Sequence, residues 1–276
     1  MMIEIGGTYD LEVVKQTDFG VFLDAGDLGE ILLPKKHTPE GLSPGDIVEV
    51  FLYTDSDDRP IATTQVPKAE VGEFAYLEVK ENTPVGAFLD WGLDKDVLVP
   101  FAEQHRPMVV GKSYIVFLYL DNQERITATS KIDKYVSNDP EHGFYAQQAV
   151  ELIIANSTEM GYKAIIDQSH WGLLYNDDVD ERISFGQTVQ GYVKHVRVDG
   201  KIDLSLKSGQ QIRDHYSQII EDYLRDHGGF APVHDKSPSE QISDLFGMSK
   251  KQFKKAIGGL YKQKVITIEK DGIRLV

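Results

Sequence analysis

Cysteine is absent from this sequence of 276 residues, which excludes disulfide bonds, thiolate catalysis and zinc sites built on cysteine. Long apolar runs are absent too. The longest covers residues 114–120, far short of the roughly 20 residues that span a bilayer. The opening residues MMIEIGGTYD have no basic segment followed by an apolar run, so they lack the pattern of a signal peptide. We therefore expect a cytoplasmic protein with no membrane contact.

Positive charge is scarce and unevenly placed. The chain has 29 Lys and Arg against 44 Asp and Glu, a net charge of −15, which excludes a uniformly basic nucleic-acid coat. Residues 1–130 carry 10 Lys and Arg against 23 Asp and Glu, a net charge of −13. Residues 248–276 carry 8 against 2, a net charge of +6. The positive end of the chain is its C-terminal segment.

Signatures of catalysis are missing as well. None of the eight histidines forms an HExxH pair or an HxH cluster, and neither a Walker-type phosphate loop nor GxSxG occurs. The acidic stretch DSDDR, residues 55–59, has the composition of a cation site. It also lies at a predicted hairpin tip, where acidic residues are common turn formers. We expect no enzymatic activity, no metal and no cofactor.

An internal repeat organises the first half of the chain. TDFGVFLDAGDLGEILLP, residues 17–34, matches TPVGAFLDWGLDKDVLVP, residues 83–100, and PGDIVEVFLYTDSDDRPIATT, residues 44–64, matches residues 110–130 at the same offset of 66. A weaker third copy lies at residues 152–206, where Gly161 and Gly186 follow Gly86 and Gly111 by 75 residues. The chain thus contains three copies of one module.

Each copy contains five stretches of strand character separated by turn residues. In the first copy we expect strands at residues 8–16, 21–24, 30–33, 47–53 and 60–64. About 65 residues in five strands are too few for a seven-strand sandwich, so a small closed barrel is expected. The stretch between copies two and three, residues 131–149, contains SNDPEHG and predicts a linker before a short helix.

From Gln210 onward the apolar period changes from two to 3.6. The predicted stripe of the first helix is Ile212, Tyr216, Ile219, Tyr223 and Leu224. SPSE, residues 237–240, predicts a capping box with Pro238 at the first position of a second helix. Ser249 and Gln252 predict another capping box, which begins a lysine-rich third helix to about Gln263. Two strands around Asp271 and Gly272 form a terminal hairpin.

The repeat resembles the S1-type RNA-binding domain of the OB-fold class. The likeness rests on the ordered set TDFGVFLD, EILL, PGDIVEV and a closing strand such as GKIDLSLK at residues 200–207. That family binds RNA on strands two and three, where aromatic side chains stack on bases. The first two stacking positions correspond to Phe19 and Phe22, then Val85 and Phe88, then Met160 and Lys163. The third position corresponds to Leu33, Val99 and Tyr175.

The resemblance therefore implies base stacking by Phe19, Phe22, Phe88 and Tyr175. A ring in a small barrel is more often a core residue than a surface residue, and strand alternation separates the two cases. If Val21 and Leu23 fill the barrel, Phe22 points outward.

Phosphate binding requires local cations. The candidates in the repeats are Lys15, Lys35, Lys36, Lys163, Lys194, His195, Arg197 and Lys201. Those of the third copy are equally compatible with a solvated strand edge, which charge protects from aggregation.

Three helices and a terminal hairpin predict a winged-helix domain with the third helix in the recognition position. Its candidate nucleic-acid contacts are Lys250, Lys251, Lys254, Lys255 and Lys262. Lysine contacts phosphate but lacks the planar fork with which arginine reads guanine, so sequence-specific DNA readout is not evident. A protein-binding role for this domain is the alternative interpretation.

The complete order of modules, ending in LFGMSKKQFKKAIGGLYKQKVITIEKDGIRLV, resembles the conserved virulence factor B family. The resemblance implies a non-catalytic bacterial RNA-binding protein that regulates gene expression, including virulence genes in some pathogens. The fold class is a mainly β multidomain protein with three tandem five-stranded OB-fold barrels and a C-terminal α+β winged helix. The predicted S1-type domains are residues 1–66, 67–131 and 150–208, with a linker at 132–149 and the winged helix at 209–276.

Two further hypotheses remain open beside single-stranded RNA binding. One is a protein-interaction adaptor of the transcription or translation machinery whose acidic barrels dock on a basic protein surface, which the net charge of residues 1–130 favours. The other is a DNA-binding regulator that acts through the winged helix, which leaves three barrels unexplained.

Overall fold

The computed structural model describes residues 3–179 and 182–276. The first five strands form a closed barrel in the order β1-β2-β3-β5-β4. These strands are β1 Thr8–Thr17, β2 Gly20–Asp24, β3 Glu30–Pro34, β4 Ile47–Thr54 and β5 Pro60–Thr63. Val21 and Leu23 are fully buried in this barrel, as alternation predicts.

The second barrel repeats this topology. Its strands are β6 Phe74–Thr83, β7 Gly86–Asp90, β8 Val97–Pro100, β9 Ser113–Leu120 and β10 Ile126–Thr129. Strand β8 runs parallel to β10, just as β3 runs parallel to β5. The core includes Leu77, Leu89 and Trp91, and the Trp91 Nε1 donates to the Lys95 carbonyl oxygen at 2.6 Å.

The third barrel is also closed, in the order β11-β12-β13-β15-β14. Its strands are β11 Ala149–Thr158, β12 Gly161–Ile166, β13 His170–Tyr175, β14 Thr188–Val196 and β15 Ile202–Ser205. Residues 138–148 before it are loop and turn, and the short helix predicted after SNDPEHG is wrong because the chain goes directly into β11. The predicted fold class of three five-stranded barrels is confirmed.

The C-terminal region is α+β, as predicted. Its elements are α1 Gly209–Asp226, β16 Phe230–Ala231, α2 Ser239–Phe246, α3 Lys250–Lys262, β17 Ile266–Ile268 and β18 Ile273–Leu275. The strands pair in the order β16-β18-β17, so β16 adds a strand to the predicted hairpin. Phe253 and Ile257 of α3 and Ile220 of α1 lie in its buried core. Ile220 is absent from the predicted stripe.

Of the two predicted capping boxes, the one at Ser249 is confirmed and the one at Ser237 is wrong. The Ser249 side chain accepts from the Gln252 backbone N–H and the Gln252 side chain bonds back, so this capping box is confirmed. The box predicted at Ser237 is wrong, because the Ser237 hydroxyl instead accepts from the backbone N–H of His234 at 2.9 Å. A second capping box, Ser208 with Gln211, was not predicted and begins α1.

Contacts between Cα atoms divide the chain into two compact units. The first comprises Met1–Pro140, Glu151–Gly172 and Arg182–Val189, and the second comprises Glu141–Val150, Leu173–Glu181 and Gln190–Val276. No helix in the described part of the chain has the length and apolarity needed to cross a bilayer.

At the tip of the β4-β5 hairpin, the Asp55 carboxylate accepts from the Arg59 guanidinium at 2.7 Å and from two backbone N–H groups. It therefore acts as a turn former there.

Candidate nucleic-acid interface

A Thr-x-x-Gly turn joins the first two strands of every barrel. The threonine hydroxyl donates to the glycine carbonyl oxygen in each case: Thr17 to Gly20 at 2.9 Å, Thr83 to Gly86 at 3.2 Å, and Thr158 to Gly161 at 2.9 Å. The repeat thus fixes one turn geometry three times.

Glycine is required at the end of this turn. Gly20 has a φ of 145°, and a Cβ there would lie 2.1 Å from the Leu33 carbonyl oxygen. At Gly86 the φ is 154° and the corresponding distance to the Val99 oxygen is 2.3 Å. Only a residue without a Cβ allows this close approach of strand two to strand three.

The residue before the glycine lies at the tip of the turn and is held in solvent. Phe19 is 77% exposed, Val85 60% and Met160 61%. The backbone N–H of Lys35 donates to the Phe19 carbonyl oxygen at 2.8 Å, which anchors the tip of the first barrel to the end of β3. A depression of about 350 Å³ beside this turn is lined by Thr17, Gly20, Lys35 and Thr38, among others.

A β-bulge in the first strand sets a lysine opposite an aromatic ring of the second strand. The register of β1 shifts between Val13 and Lys15, so that Lys15 lies opposite Phe22 of β2. The Lys15 Nζ lies 4.7 Å from the centroid of the half-buried Phe22 ring. Lys15 also forms an ion pair with Glu30. The first barrel therefore carries an exposed ring at its turn, Phe19, and a half-buried ring beside a cation on the sheet.

The second barrel keeps the geometry but changes the chemistry. The same bulge places Glu81 opposite Phe88, so a carboxylate replaces the lysine. Phe101 is 57% exposed and begins the short 3-10 helix after β8, where Lys35 lies in the first barrel. Phe101 is an exposed aromatic residue that the comparison with the family's stacking positions did not find. A comparison at the offset of 66 finds it.

The predicted third stacking position is wrong in its register. Leu33 and Val99 are fully buried inside their barrels, as is Leu174 in the third. Tyr175 is the last residue of its strand and precedes a 3-10 helix, as Pro34 and Pro100 do. Tyr175 therefore corresponds to the two prolines, and its hydroxyl accepts from the Arg197 guanidinium.

Most of the predicted phosphate-binding cations of the barrels have carboxylate partners. The pairs are Lys163 with Asp133 at 3.4 Å, Lys194 with Asp178 at 2.6 Å, Arg197 with Asp203 at 2.7 Å, Lys201 with Asp199 at 2.8 Å, and Lys36 with Asp94. The hydrogen bond between Lys36 and Asp94 raises the pKa of the ammonium and lowers that of the carboxyl. Lys35 and His195 are exposed. An ion-paired cation offers less charge to a phosphate than a free one.

Helix α3 differs from the barrels in this respect. Lys251, Lys254, Lys255 and Lys262 are exposed, and within residues 3–179 and 182–276 none of them has a carboxylate oxygen within 4.0 Å. Lys250 donates to the Lys236 carbonyl oxygen at 3.3 Å. The opposite side of the helix is buried through Phe253, Ala256, Ile257 and Leu260. The exposed side is therefore a surface of uncompensated positive charge.

Comparison with known proteins adds to this geometry. An S1 domain model matches residues 5–65 and 71–131, and a CvfB-like winged helix domain model matches residues 218–275. The protein YitL of Bacillus subtilis (strain 168) is 30% identical over 272 residues, which cover 93% of this chain and 89% of that protein. Conserved virulence factor B of Staphylococcus aureus (strain N315) is 28% identical over 250 residues, which cover 85% and 81%. The chain belongs to the conserved virulence factor B family.

One solved structure is similar to this chain over nearly its whole length, but its TM-score is low. A crystal structure described as a multidomain protein with nucleic acid binding domains from Streptococcus pneumoniae is 26% identical, covers 99% of this chain and 98% of its own, and has a TM-score of 0.41. The S1 and winged-helix families that match this chain are nucleic-acid-binding domains and are not known as catalytic domains. Nucleic-acid binding is therefore the class of function to which this family membership points.

Proposed function

We propose that this member of the conserved virulence factor B family binds single-stranded RNA without chemically changing it, and that this binding regulates gene expression in the cytoplasm. The observation that carries the proposal is the Phe19 ring. It is 77% exposed at a turn whose backbone is fixed by Thr17, Gly20 and Lys35. A large ring held in water, in a barrel that also carries the half-buried ring of Phe22 beneath Lys15, has the composition of a base-stacking platform.

Single strands suit this platform better than duplexes do. Stacking on Phe19 and Phe22 requires bases with a free face, which paired bases inside a duplex do not offer. The S1 domain match and the family resemblance favour RNA over DNA. The exposed lysines of α3 supply phosphate contacts in addition to those of the first barrel, where Lys15 and Lys36 are ion-paired.

The proposed regulatory role rests on the surfaces that the chain presents for binding. The three barrels and the winged helix present surfaces for binding, and a protein that holds an RNA strand without cleaving it acts by occupying that strand. Virulence genes enter this proposal only through the name of the relatives.

The experiment is an equilibrium titration of fluorescent single-stranded RNA with the full chain and with Phe19→Ala. Base stacking on an aromatic side chain contributes about 1–3 kcal/mol, so the Kd should rise by about 5-fold to 160-fold. Tyr145 is a matched control, because it is another exposed ring, 66% accessible, and lies outside the proposed surface. Tyr145→Ala should bind like the parent. Equal affinity of the Phe19→Ala variant and the parent would refute the stacking platform, and absence of RNA binding by the parent would turn attention to a basic protein partner.

A further inference from the structure

The first compact unit contains a cleft of about 410 Å³ between its second barrel and the part of the third barrel that belongs to it. The cleft is lined by His105 and Arg106 after β8, by residues 130–134 after β10, and by residues of β9, β11, β12 and β13. Its volume lies in the range of about 300–1,000 Å³ that is usual for ligand pockets. None of these residues belongs to the platform around Phe19.

An apolar cluster adjoins the cleft through Ile115 and Trp171, which line it. Phe74 and Ile115 of the second barrel pack with Ile153 and Ile165 of the third in one buried cluster, against which Trp171 also packs. The Trp171 backbone N–H donates to the Ser137 carbonyl oxygen at 3.1 Å. The Gln168 side chain accepts from the backbone N–H of Phe74 at 2.7 Å. These contacts hold the two walls of the cleft together.

The rim of the cleft is positively charged in a chain whose net charge is −15. The lining contains the cations Arg106, Lys131, Lys134 and Lys163, and its one carboxylate is Asp133. Asp133 pairs with Lys163 at 3.4 Å and its side chain is 80% exposed. In the described part of the chain, Arg106, Lys131 and Lys134 have no carboxylate oxygen within 4.0 Å. Three cations without carboxylate partners among the described residues therefore lie together at this cleft.

Aromatic rings lie next to these cations. The Lys163 Nζ lies 3.6 Å from the centroid of the Trp171 ring, and the Arg106 guanidinium lies 5.7 Å from that of Tyr114. Phe185 is 43% exposed and forms an edge-to-face contact with Tyr76, with the ring centroids 5.4 Å apart. Rings and cations side by side match the base and the phosphate of one nucleotide, although Lys163, the cation over Trp171, is itself paired with Asp133.

We propose that this cleft binds a nucleotide unit within a single-stranded RNA, as a second contact site separate from the Phe19 platform. The base packs against the apolar wall of Trp171 and Phe185, and Arg106, Lys131 and Lys134 hold the phosphates. Arg106 and Lys134 are exposed on the rim, where the phosphates of a continuing strand pass, which favours a strand over a free nucleotide. This proposal rests on the proposed function.

The two tryptophans allow a direct test. Trp91 is 3% exposed in the core of the second barrel, whereas Trp171 lines the cleft. In the full chain labelled with 5-fluorotryptophan, saturating single-stranded RNA should shift the ¹⁹F resonance of Trp171 and leave that of Trp91 in place. An unmoved Trp171 resonance while anisotropy shows bound RNA would overturn the cleft and leave the Phe19 platform standing. Absence of RNA binding would refute both. A full shift with AMP at the same nucleotide concentration would also overturn the strand proposal, because it would make the cleft a mononucleotide site.

Charge neutralisation tests the rim. Each phosphate contact on a single strand contributes about 0.7 to the slope of log K against log salt, or about fivefold in Kd at 0.1 M salt. Arg106→Gln combined with Lys134→Gln should therefore flatten the slope by about 1.4 and raise the Kd by about 25-fold. Lys112 is the matched control, since it is exposed on the same barrel but does not line the cleft. An unchanged Kd and slope for the double variant would contradict the proposal.

Discussion

The lysines of α3 give the sharpest test of how the chain binds a polyanion in spite of its acidity. Changing Lys251, Lys254 and Lys255 to Gln removes three charges whose side chains are exposed and, in the described residues, without carboxylate partners. Glutamine has nearly the same helix propensity as lysine. The buried side of the helix, with Phe253 and Ile257, is not touched. The fold should therefore persist while binding weakens.

The magnitude follows from counterion release. If all three lysines contact phosphates, the slope of log K against log salt for a single strand should flatten by about 2, and the Kd at 0.1 M salt should rise by about 100-fold. Fluorescence anisotropy at salt concentrations from about 50 to about 300 mM, where log K falls linearly with log salt, measures both the slope and the Kd. Circular dichroism of the same samples checks the fold.

A charge-matched control separates local contact from overall charge. Lys68, Lys194 and Lys201 pair with Asp90 at 3.2 Å, Asp178 at 2.6 Å and Asp199 at 2.8 Å. Their change to Gln alters the net charge equally but removes cations whose charge is already balanced. This control should change the slope far less. If both triple variants flatten the slope equally, or if neither does, the reasoning about α3 is refuted.

Three further predictions concern stability. Phe253→Ala removes a fully buried ring that stacks on Phe246 at 5.4 Å, and it should cost about 3–5 kcal/mol in urea unfolding of the C-terminal region. Gly20→Ala should lower the thermal midpoint of the chain, because its Cβ would lie 2.1 Å from the Leu33 oxygen, and an unchanged midpoint would contradict the turn geometry. The hydrogen bond from Lys36 lowers the pKa of Asp94 below its ordinary value of 3.8, so the pair stabilises the fold above that pH and this contribution is lost as the pH falls through the lowered pKa. Asp94→Asn should therefore be less stable than the parent at pH 7, by about 1 kcal/mol or less at so exposed a site, and should match it in acid; a difference that persists at pH 2 would contradict the pairing.

The barrels were predictable because their information is local and repeated. Strand alternation and the offset of 66 locate the strands of the first barrel within one residue at each boundary. Ser249 and Gln252 lie close together in the sequence, and they correctly predicted the capping box of α3. The same type of signal failed at Ser237, because its hydroxyl is used by a tight turn with His234. The domain boundaries derived from the repeat stay a prediction.

The candidate site was only partly predictable. The exposure of Phe19 follows from the turn, but the register that buries Leu33 and aligns Tyr175 with Pro34 depends on where β3 ends. Ion pairs such as Lys194 with Asp178 join separate segments of the chain, so no local sequence pattern predicts them. The cleft beside Trp171 forms only where two barrels pack, so no single repeat contains it.

The most direct test of RNA binding is a titration of the full chain with single-stranded RNA, single-stranded DNA of the same sequence and duplex DNA, each at several salt concentrations. We predict that RNA binds tightest, that its affinity falls linearly on the logarithmic salt scale, and that duplex DNA binds weakest. Absence of RNA binding at low salt, or tighter binding of duplex DNA than of RNA, would contradict the account.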